Sequence, residues 1–385
     1  MVMGIYSEYL EQSLSWTEIE KKRKGQLSRI SKIRGGRAIL AYCSALTKPA
    51  DILIDYTDRA YIFDQIADIE ENALDLILET PGGSAEIVED IVRVIRKKFE
   101  KLAIVVPGYA KSAATIMAMA ADEILMEPSS ALGPIDAQII QAGKRYSAHA
   151  FLEGLEKIKK EVEETGKLNL AYVPILQNIS PGEIQTCENL RDYSRKLVGN
   201  WLSIYKFKYW DSHQSSGKPV TDEEKLDRAS EIADELCDHQ KWLTHGRSIN
   251  IDDLAEIRLK ITDYTSQNEL CDAIRRYYTL LLMSFENTGI FKIIETPKSQ
   301  IYRYIIPQAE KPVKKEPDLA EIEIECPNCK KKSRLQANFK EGIPIKNGAT
   351  PFPKDNIFNC PNCNNRLNLG ALRHQIESES KKRII

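Results

Sequence analysis

Three short apolar runs set the strongest limit on what this chain can fold into. LDLILET begins at Leu74, KLAIVVPG at Lys101 and EILMEP at Glu123. Helical patterns separate them. AEIVEDIVRVIRKKFE carries Ile87, Ile91, Val94 and Ile95 on one face, and small apolar residues follow Ser112. Lys and Arg crowd the end of the first helix, where the helix dipole favours cations. Upstream, RAILAYCSAL (Arg37 to Leu46) reads as another strand. The segment from Thr57 to Ala73 reads as a helix, with Ile62, Ile66 and Ile69 at helical spacing and Thr57 or Asp58 as cap. Strands alternating with helices imply βα units and a largely parallel sheet. Ligand sites in such sheets lie at the C-terminal ends of the strands.

Two turns fall at those ends on successive βα connections. One is Pro81-Gly82-Gly83-Ser84; the other is Pro107-Gly108 leading to Lys111-Ser112. Acyl transfer to a serine needs a positioned hydroxyl and backbone N–H groups facing the developing oxyanion. A serine in the first turn of a helix sits among unpaired N–H groups, and Ala110, Ala113 and Ala114 leave room for a peptide backbone. Glycines allow close approach and outward-pointing amides. Taken singly, Ser112 is most simply a helix cap and Pro-Gly-Gly a turn. Their pairing on adjacent crossovers is the more specific feature.

LDLILETPGGS and VPGYAKSAATIMAMAADEILMEPSSALGPIDAQI together resemble the Clp-protease/signal-peptide-peptidase superfamily, and more narrowly the serine dehydrogenase proteinase family. The resemblance runs roughly from Ile39 to Ile261, through CENLRDYSRKLVGNWL and ASEIADELCDHQKWLTHGRSINIDDLAEIRL. It implies a ClpP/crotonase-like α/β fold with a helical C-terminal half, homo-oligomerisation and serine-dependent hydrolysis of a peptide or protein substrate. By that resemblance Ser112 is the nucleophile. Gly82 and Gly83 form the oxyanion-hole turn, and the Ala113 amide is the second donor.

The base departs from the pattern. Clp proteases carry a histidine on the strand following the nucleophile helix, whereas this stretch reads LGPIDAQII and has none. Signal peptide peptidases use a lysine further on, since a buried lysine of lowered pKa can deprotonate a serine. Lys157, Lys159 and Lys160 lie on a heavily charged helix and read as solvated. Lys167, after a glycine and before LNLAYVPIL, is placed to point inwards, and Lys196 shares a basic face with Arg195. His245, in WLTHGRSI, lies in a turn in the region where Clp proteases place their acidic triad member; Asp136 in GPID is placed to orient a base. Lys167, Lys196 and His245 therefore stay open as bases.

Two CPNC motifs, Cys326/Cys329 and Cys360/Cys363, present paired thiolates, and two such hairpins complete a tetrahedral Zn–S4 site. With no open position, such a zinc ion is structural. KEGIPIKNGATPFPKDN reads as an extra loop of a zinc ribbon. Lys330, Lys331, Lys332 and Arg334 give it a small basic patch, a feature too common on zinc ribbons to choose between a nucleic acid, a substrate and a protein partner. Cys43, Cys187, Cys237 and Cys271 are scattered and read as reduced, buried thiols.

The expected organisation is a helical leader over 1–35, a ClpP/crotonase-like domain over 36–305, a linker over 306–320, a zinc ribbon over 321–375 and a charged tail over 376–385. Between Ala148 and Asn287 the pattern is mainly helical, and Leu190, Leu197, Trp201 and Ile204 form a stripe for core or oligomer contact. A net charge of −2 gives no global pull towards nucleic acid or anionic membrane. No apolar run approaches the ~20 residues of a membrane span, and the N-terminal stretch lacks a secretory pattern, so a cytoplasmic protein is expected. Three functions compete: a serine peptidase working through Ser112, an inactive ClpP-like scaffold acting through its ribbon, and crotonase-like acyl-CoA chemistry, for which no feature speaks.

Overall fold

The computed structural model describes residues 4–141, 143–213, 216–305 and 318–385. Most of the expected linker lies outside them. The chain divides into two compact units, Met1–Ile306 and Pro307–Ile385.

In the first unit, helices α1 (Ile5–Glu11) and α2 (Trp16–Ile33) precede strand β1 (Ala38–Ser44). Then come α3 (Tyr56–Ile66), β2 (Ala73–Glu79), α4 (Ala85–Lys98), β3 (Lys101–Val106), the short β4 (Tyr109–Ala110), α5 (Ala113–Met119), β5 (Glu123–Met126) and β6 (Ala131–Leu132). The hairpin β7 (Gln138–Gln141) and β8 (Lys144–Ser147) leads into α6 (Ala148–Thr165), the single turn α7 (Val173–Leu176), α8 (Pro181–Trp201), α9 (Asp222–Cys237), the turn α10 (His239–Trp242) and α11 (Ile251–Glu256). β9 (Thr262–Asp263), α12 (Asn268–Asn287), β10 (Ile290–Glu295) and β11 (Gln300–Tyr304) complete the unit.

The main sheet runs β11-β10-β1-β2-β3-β5-β9. β1, β2, β3, β5 and β9 are parallel. β10 and β11 are antiparallel additions beside β1. Helices cover both faces, so the central strands are buried: β1 is buried at every position. α4 shows how sequence sets an element here. Ser84 caps it by accepting the Ile87 N–H at 3.2 Å, and Ile87, Val88, Ile91, Val92 and Ile95 face the core.

Several expectations are corrected. α3 is capped by Asp55, not Thr57 or Asp58, and ends at Ile66. Asp58 stands at the third helical position, fully buried, where it accepts from Lys292 Nζ at 2.7 Å and Tyr42 Oη at 2.8 Å. In the helical leader, Ile19, Arg23, Leu27 and Ile30 of α2 are buried, and Arg23 makes a two-bond pair with Glu295 of β10 at 2.5 and 2.9 Å. Of the apolar stripe, Leu197 and Trp201 are buried, but Ile204 is 57% exposed because a π-helical turn over Leu202–Lys206 rotates it outward.

In the second unit, β12 (Leu319–Glu325) pairs antiparallel with β13 (Lys332–Asn338), and β14 (Ala349–Pro351) adds parallel to β13. β15 (Ile357–Asn359) and β16 (Arg366–Asn368) form a hairpin before α13 (Gly370–Ser380). The expected extra loop thus contains a strand. The expected solvated tail is partly packed: Ile384 is buried with Leu335, Phe352 and Phe358, and the Ile385 N–H donates to the Asn338 carbonyl at 3.0 Å.

Candidate active site and candidate metal centre

The tip of β2 builds the floor of the site. Thr80 donates its N–H to Tyr109 O at 2.9 Å and accepts the Lys111 N–H at 3.1 Å, which fixes β4 and the turn leading to Ser112. Beneath that turn Glu79 accepts the Tyr109 N–H at 2.7 Å and the Tyr278 hydroxyl at 3.2 Å. Burial pushes the Glu79 carboxyl up to about 7, against the pull of these donors. The Thr115 hydroxyl bridges the Ala110 and Gly133 carbonyls, at 2.8 and 3.0 Å, and locks the first turn of α5.

Ser112 occupies the cap position of α5 with φ 54° and ψ −121°, and its side chain accepts no helix N–H. That conformation is costly for a residue with a Cβ, on the order of 1–3 kcal/mol. The capping explanation therefore fails at the level of the hydroxyl, which is held off the helix by a strained backbone.

Gly82 and Gly83 pack against this turn for different reasons. Gly82 has φ 103°, and a Cβ there would lie 2.5 Å from Lys111 O and 2.7 Å from the Ser112 Cβ. Only glycine allows this approach. Gly83 lies against Ile54, whose N–H donates to Gly82 O at 2.8 Å and whose carbonyl accepts the Ser84 N–H at 3.2 Å. Gly82 spends its own N–H weakly on Thr80 Oγ1 at 3.4 Å. Among the described residues, the N–H groups of Gly83 and Ala113 have no hydrogen-bond partner.

A cleft of about 370 Å³ opens at this point. Ser112, Ala113, Gly83, Asp136 and His245 all line it, and Leu53, Ile54, Ile116, Ile135 and Leu190 make its apolar wall. Asp136 is almost fully buried, with Oδ1 accepting from Ser147 Oγ at 2.5 Å and Oδ2 from Gln138 Nε2 at 3.0 Å. His245 Nδ1 stands 4.0 Å from Asp136 Oδ2, in ion-pair range. The loop carrying His245 is tied back to the serine turn: Lys111 Nζ donates to Gly246 O at 2.5 Å and approaches Ser248 Oγ at 3.2 Å. Burial lowers the Lys111 pKa. The Leu132–Ile249 pair, two backbone bonds of 3.0 Å, anchors the same loop.

The lysines fare differently. Lys167 is exposed rather than inward-facing, because Gly166 ends α6 in a left-handed conformation and turns the chain out to solvent. It does not line the cleft, and neither does Lys196, which is exposed on a shallow groove with Asp227 and Ser230. Lys157 and Lys159 are exposed and paired along α6 with Glu153 and Glu156, at 2.7 and 3.3 Å. Sequence reasoning missed Lys111 and His239, which approaches Asp136 Oδ2 at 3.3 Å through Nδ1. Their only signal was position: one precedes the serine, the other lies six residues before His245.

In the second unit, Cys326, Cys329, Cys360 and Cys363 bring their sulfurs within 4.8 Å of one another. Cys326 and Cys363 are 3.6 Å apart, and Cys329 and Cys360 are 3.7 Å apart. A tetrahedron of ~2.3 Å metal–sulfur bonds has edges of about 3.8 Å, so the cluster has the right size for zinc. The backbone N–H groups of Cys329 and Asn328 face Cys326 and lower its pKa. The neighbouring basic residues are largely compensated: Lys332 pairs with Glu323 at 2.6 Å and Lys330 with Glu325 at 3.9 Å.

A parallel βα sheet with a glycine turn and a strained serine on successive crossovers defines a ClpP-like α/β fold. Residues 9–188 match the ClpP-like SDH-type serine proteinase family, and the motifs between Leu74 and Ile139 lie within that segment. The match contains Gly82, Gly83, Ser112, Ala113 and Asp136 and stops short of His239 and His245. Two uncharacterized proteins of Methanocaldococcus jannaschii are similar. One is 36% identical over 92 residues, 24% of this chain and 32% of that protein. The other is 31% identical over 104 residues, 27% of this chain and 35% of that protein. The chain thus spans about a third of the length of the curated relatives it matches. Among solved structures, a mutant of the 1510-N membrane-bound stomatin-specific protease aligns over 57% of this chain and 79% of that one, at 16% identity and TM-score 0.34. A ClpP1 mutant from Listeria monocytogenes aligns over 63% and 99%, at 11% identity and TM-score 0.31. Among the described residues, no helix is long and apolar enough to cross a membrane.

Proposed function

We propose that the first unit is a serine peptidase in which Ser112 attacks a peptide carbonyl and His245 takes its proton. The observation that carries this reading is the shared cleft: the strained serine, the unpartnered Gly83 and Ala113 amides, Asp136 and His245 all line it. Asp136 Oδ2 stands 4.0 Å from Nδ1 of His245, and Nε2 is the ring atom proposed to take the serine proton. The attack turns the carbonyl oxygen into an anion, and the Gly83 and Ala113 N–H groups receive it. His245 then passes the proton to the leaving amine, and a water molecule, deprotonated by the same imidazole, releases the acyl group. Gly82 contributes by permitting close approach rather than by donating.

The second unit is read as a zinc ribbon in which the four cysteines hold one structural Zn2+. The ion would knit two hairpins and leave no coordination site for chemistry. Compensation of the basic patch favours a protein over a nucleic acid as its partner. Self-association of the first unit fits the long α6, in which only Ala148 is buried, and the exposed Leu170 and Ile175 beyond it.

Labelling with a fluorophosphonate tests the central reading. Stoichiometric modification of the full chain that is lost in Ser112→Ala and in His245→Ala supports it. A chain that hydrolyses no peptide and is never labelled, with binding partners present or absent, overturns it in favour of a scaffold.

A further inference from the structure

The Asp136 carboxylate serves two imidazoles. Its Oδ2 lies 3.3 Å from Nδ1 of His239 and 4.0 Å from Nδ1 of His245, and its side chain is 2% exposed. Ser147 and Gln138 hold the same carboxylate with neutral donors. His239 opens α10 directly behind the Asp238 cap. From α6, the His149 ring stands 6.1 Å from the His239 ring, and Glu153 accepts from the neighbouring Gln240 at 3.0 Å. From α8 and α9, Arg191 and Cys237 line a small cavity together with His149 and Asp136.

One buried carboxylate balances one imidazolium; a second positive ring on the same oxygen is repelled by the first. We infer that His239 is a positioning residue for Ser112 chemistry: it fixes the Asp136 carboxylate and competes with His245 for its charge. The inference rests on the peptidase reading above and adds a regulation to it. When His239 carries a proton, Asp136 is already neutralised, and His245 gains less by taking the proton of Ser112. When His239 is neutral and donates through Nδ1, Asp136 is oriented but still charged, and His245 becomes a stronger base. The loss of activity on acidification is thereby spread over a wider pH range than one histidine would give.

The test compares His239→Asn with His239→Ala in the full chain. Asn can place an amide donor where Nδ1 stands, without a titrating charge. It is expected to keep the maximal labelling and hydrolysis rates within about threefold, while the acid limb becomes a one-proton limb moved up by about half a pH unit. His239→Ala, lacking the donor, is expected to lose about tenfold in the maximal rate. Histidine NMR titration of the Ser112→Ala chain gives a readout independent of activity: the His245 ring should titrate in two coupled steps, and in one step once His239→Asn is added. A His239→Asn acid limb that superimposes on wild type, or a His245 titration unchanged by the substitution, overturns the role of His239 alone. Labelling that survives Ser112→Ala or His245→Ala instead overturns the peptidase reading, and the two failures are told apart by which variants are silent.

Discussion

The Lys111 ammonium donates to the Gly246 carbonyl across 2.5 Å, so the residue before the strained serine grips the residue after His245. These positions are 135 residues apart in the chain. The lysine stem also packs on Gly133, where an added Cβ would come within 3.0 Å of Lys111 Cβ and Cγ. Lys111→Met keeps the stem and removes the tether. Fluorophosphonate labelling of this variant is expected to slow about tenfold, since a misplaced catalytic group costs rate steeply. Its denaturation midpoint should change little, because a partly exposed charged hydrogen bond contributes only about 1 kcal/mol. An unchanged labelling rate would show that the loop holds His245 without help from the lysine.

The backbone at Ser112 predicts a trade between stability and chemistry. Both Ser112→Ala and Ser112→Gly remove the hydroxyl, but only glycine relieves a φ of 54°. Relief of about 1–3 kcal/mol outweighs glycine's extra unfolded-state entropy of up to about 1 kcal/mol. Ser112→Gly should therefore be more stable than Ser112→Ala by about 1 kcal/mol in chemical denaturation. Equal stabilities, or a more stable alanine variant, would mean that no strain is held there.

Glu79 predicts a pH dependence of opposite sign to that of most carboxylates. Its pKa is raised to about 7 by burial, so the folded state holds a proton that the unfolded state has released. Stability from this group is complete below the unfolded value near 4.5 and is lost as pH rises through 7. The loss is on the order of 3 kcal/mol at most. Glu79→Gln still offers an oxygen to the Tyr109 N–H and should flatten the fall in stability between pH 5 and 8, measured by urea unfolding at a series of pH values. A variant with the same slope as wild type would place the titrating group elsewhere.

The four thiols predict one tightly held metal ion per chain. Elemental analysis of protein purified without added metal should find about one zinc per chain. A strong chelator should abolish the ordered signals of residues 318–385, because structural zinc supplies folding energy in small domains. Cys360→Ser should do the same without a chelator. Full order in metal-free protein would identify apolar packing around Leu335 and Phe358 as sufficient.

Much of this architecture can be read from residues whose roles are local. Ile87, Ile91 and Ile95 mark α4, and the apolar runs at Leu74, Lys101 and Glu123 mark buried parallel strands. Cysteine spacing marks the metal cluster, and the serine and glycine turns fall at strand ends. What stayed hidden depends on distant partners. β10 carries Lys292, which no local pattern marks as buried and which Asp58 binds at 2.7 Å in the interior. The helical start of the chain reads as a leader because nothing local reveals that Arg23 is buried against Glu295. Lys167 looked inward by its neighbours alone, and only the left-handed Gly166 sends it out. Asp136 and His245 were each visible, yet their meeting depends on the Leu132–Ile249 and Lys111–Gly246 links, which no periodicity encodes.

The Leu132–Ile249 pairing has a further consequence for how this chain is made. The cleft draws Gly83, Ser112, Asp136 and His245 from four separate stretches, and the last wall arrives with the segment around Ile249. Long loops must close before such contacts repay their entropy. A growing polypeptide therefore passes through synthesis with its serine turn formed but its histidine loop still unmade, and any hydrolytic capacity is deferred until the nascent chain has released nearly all of its first unit.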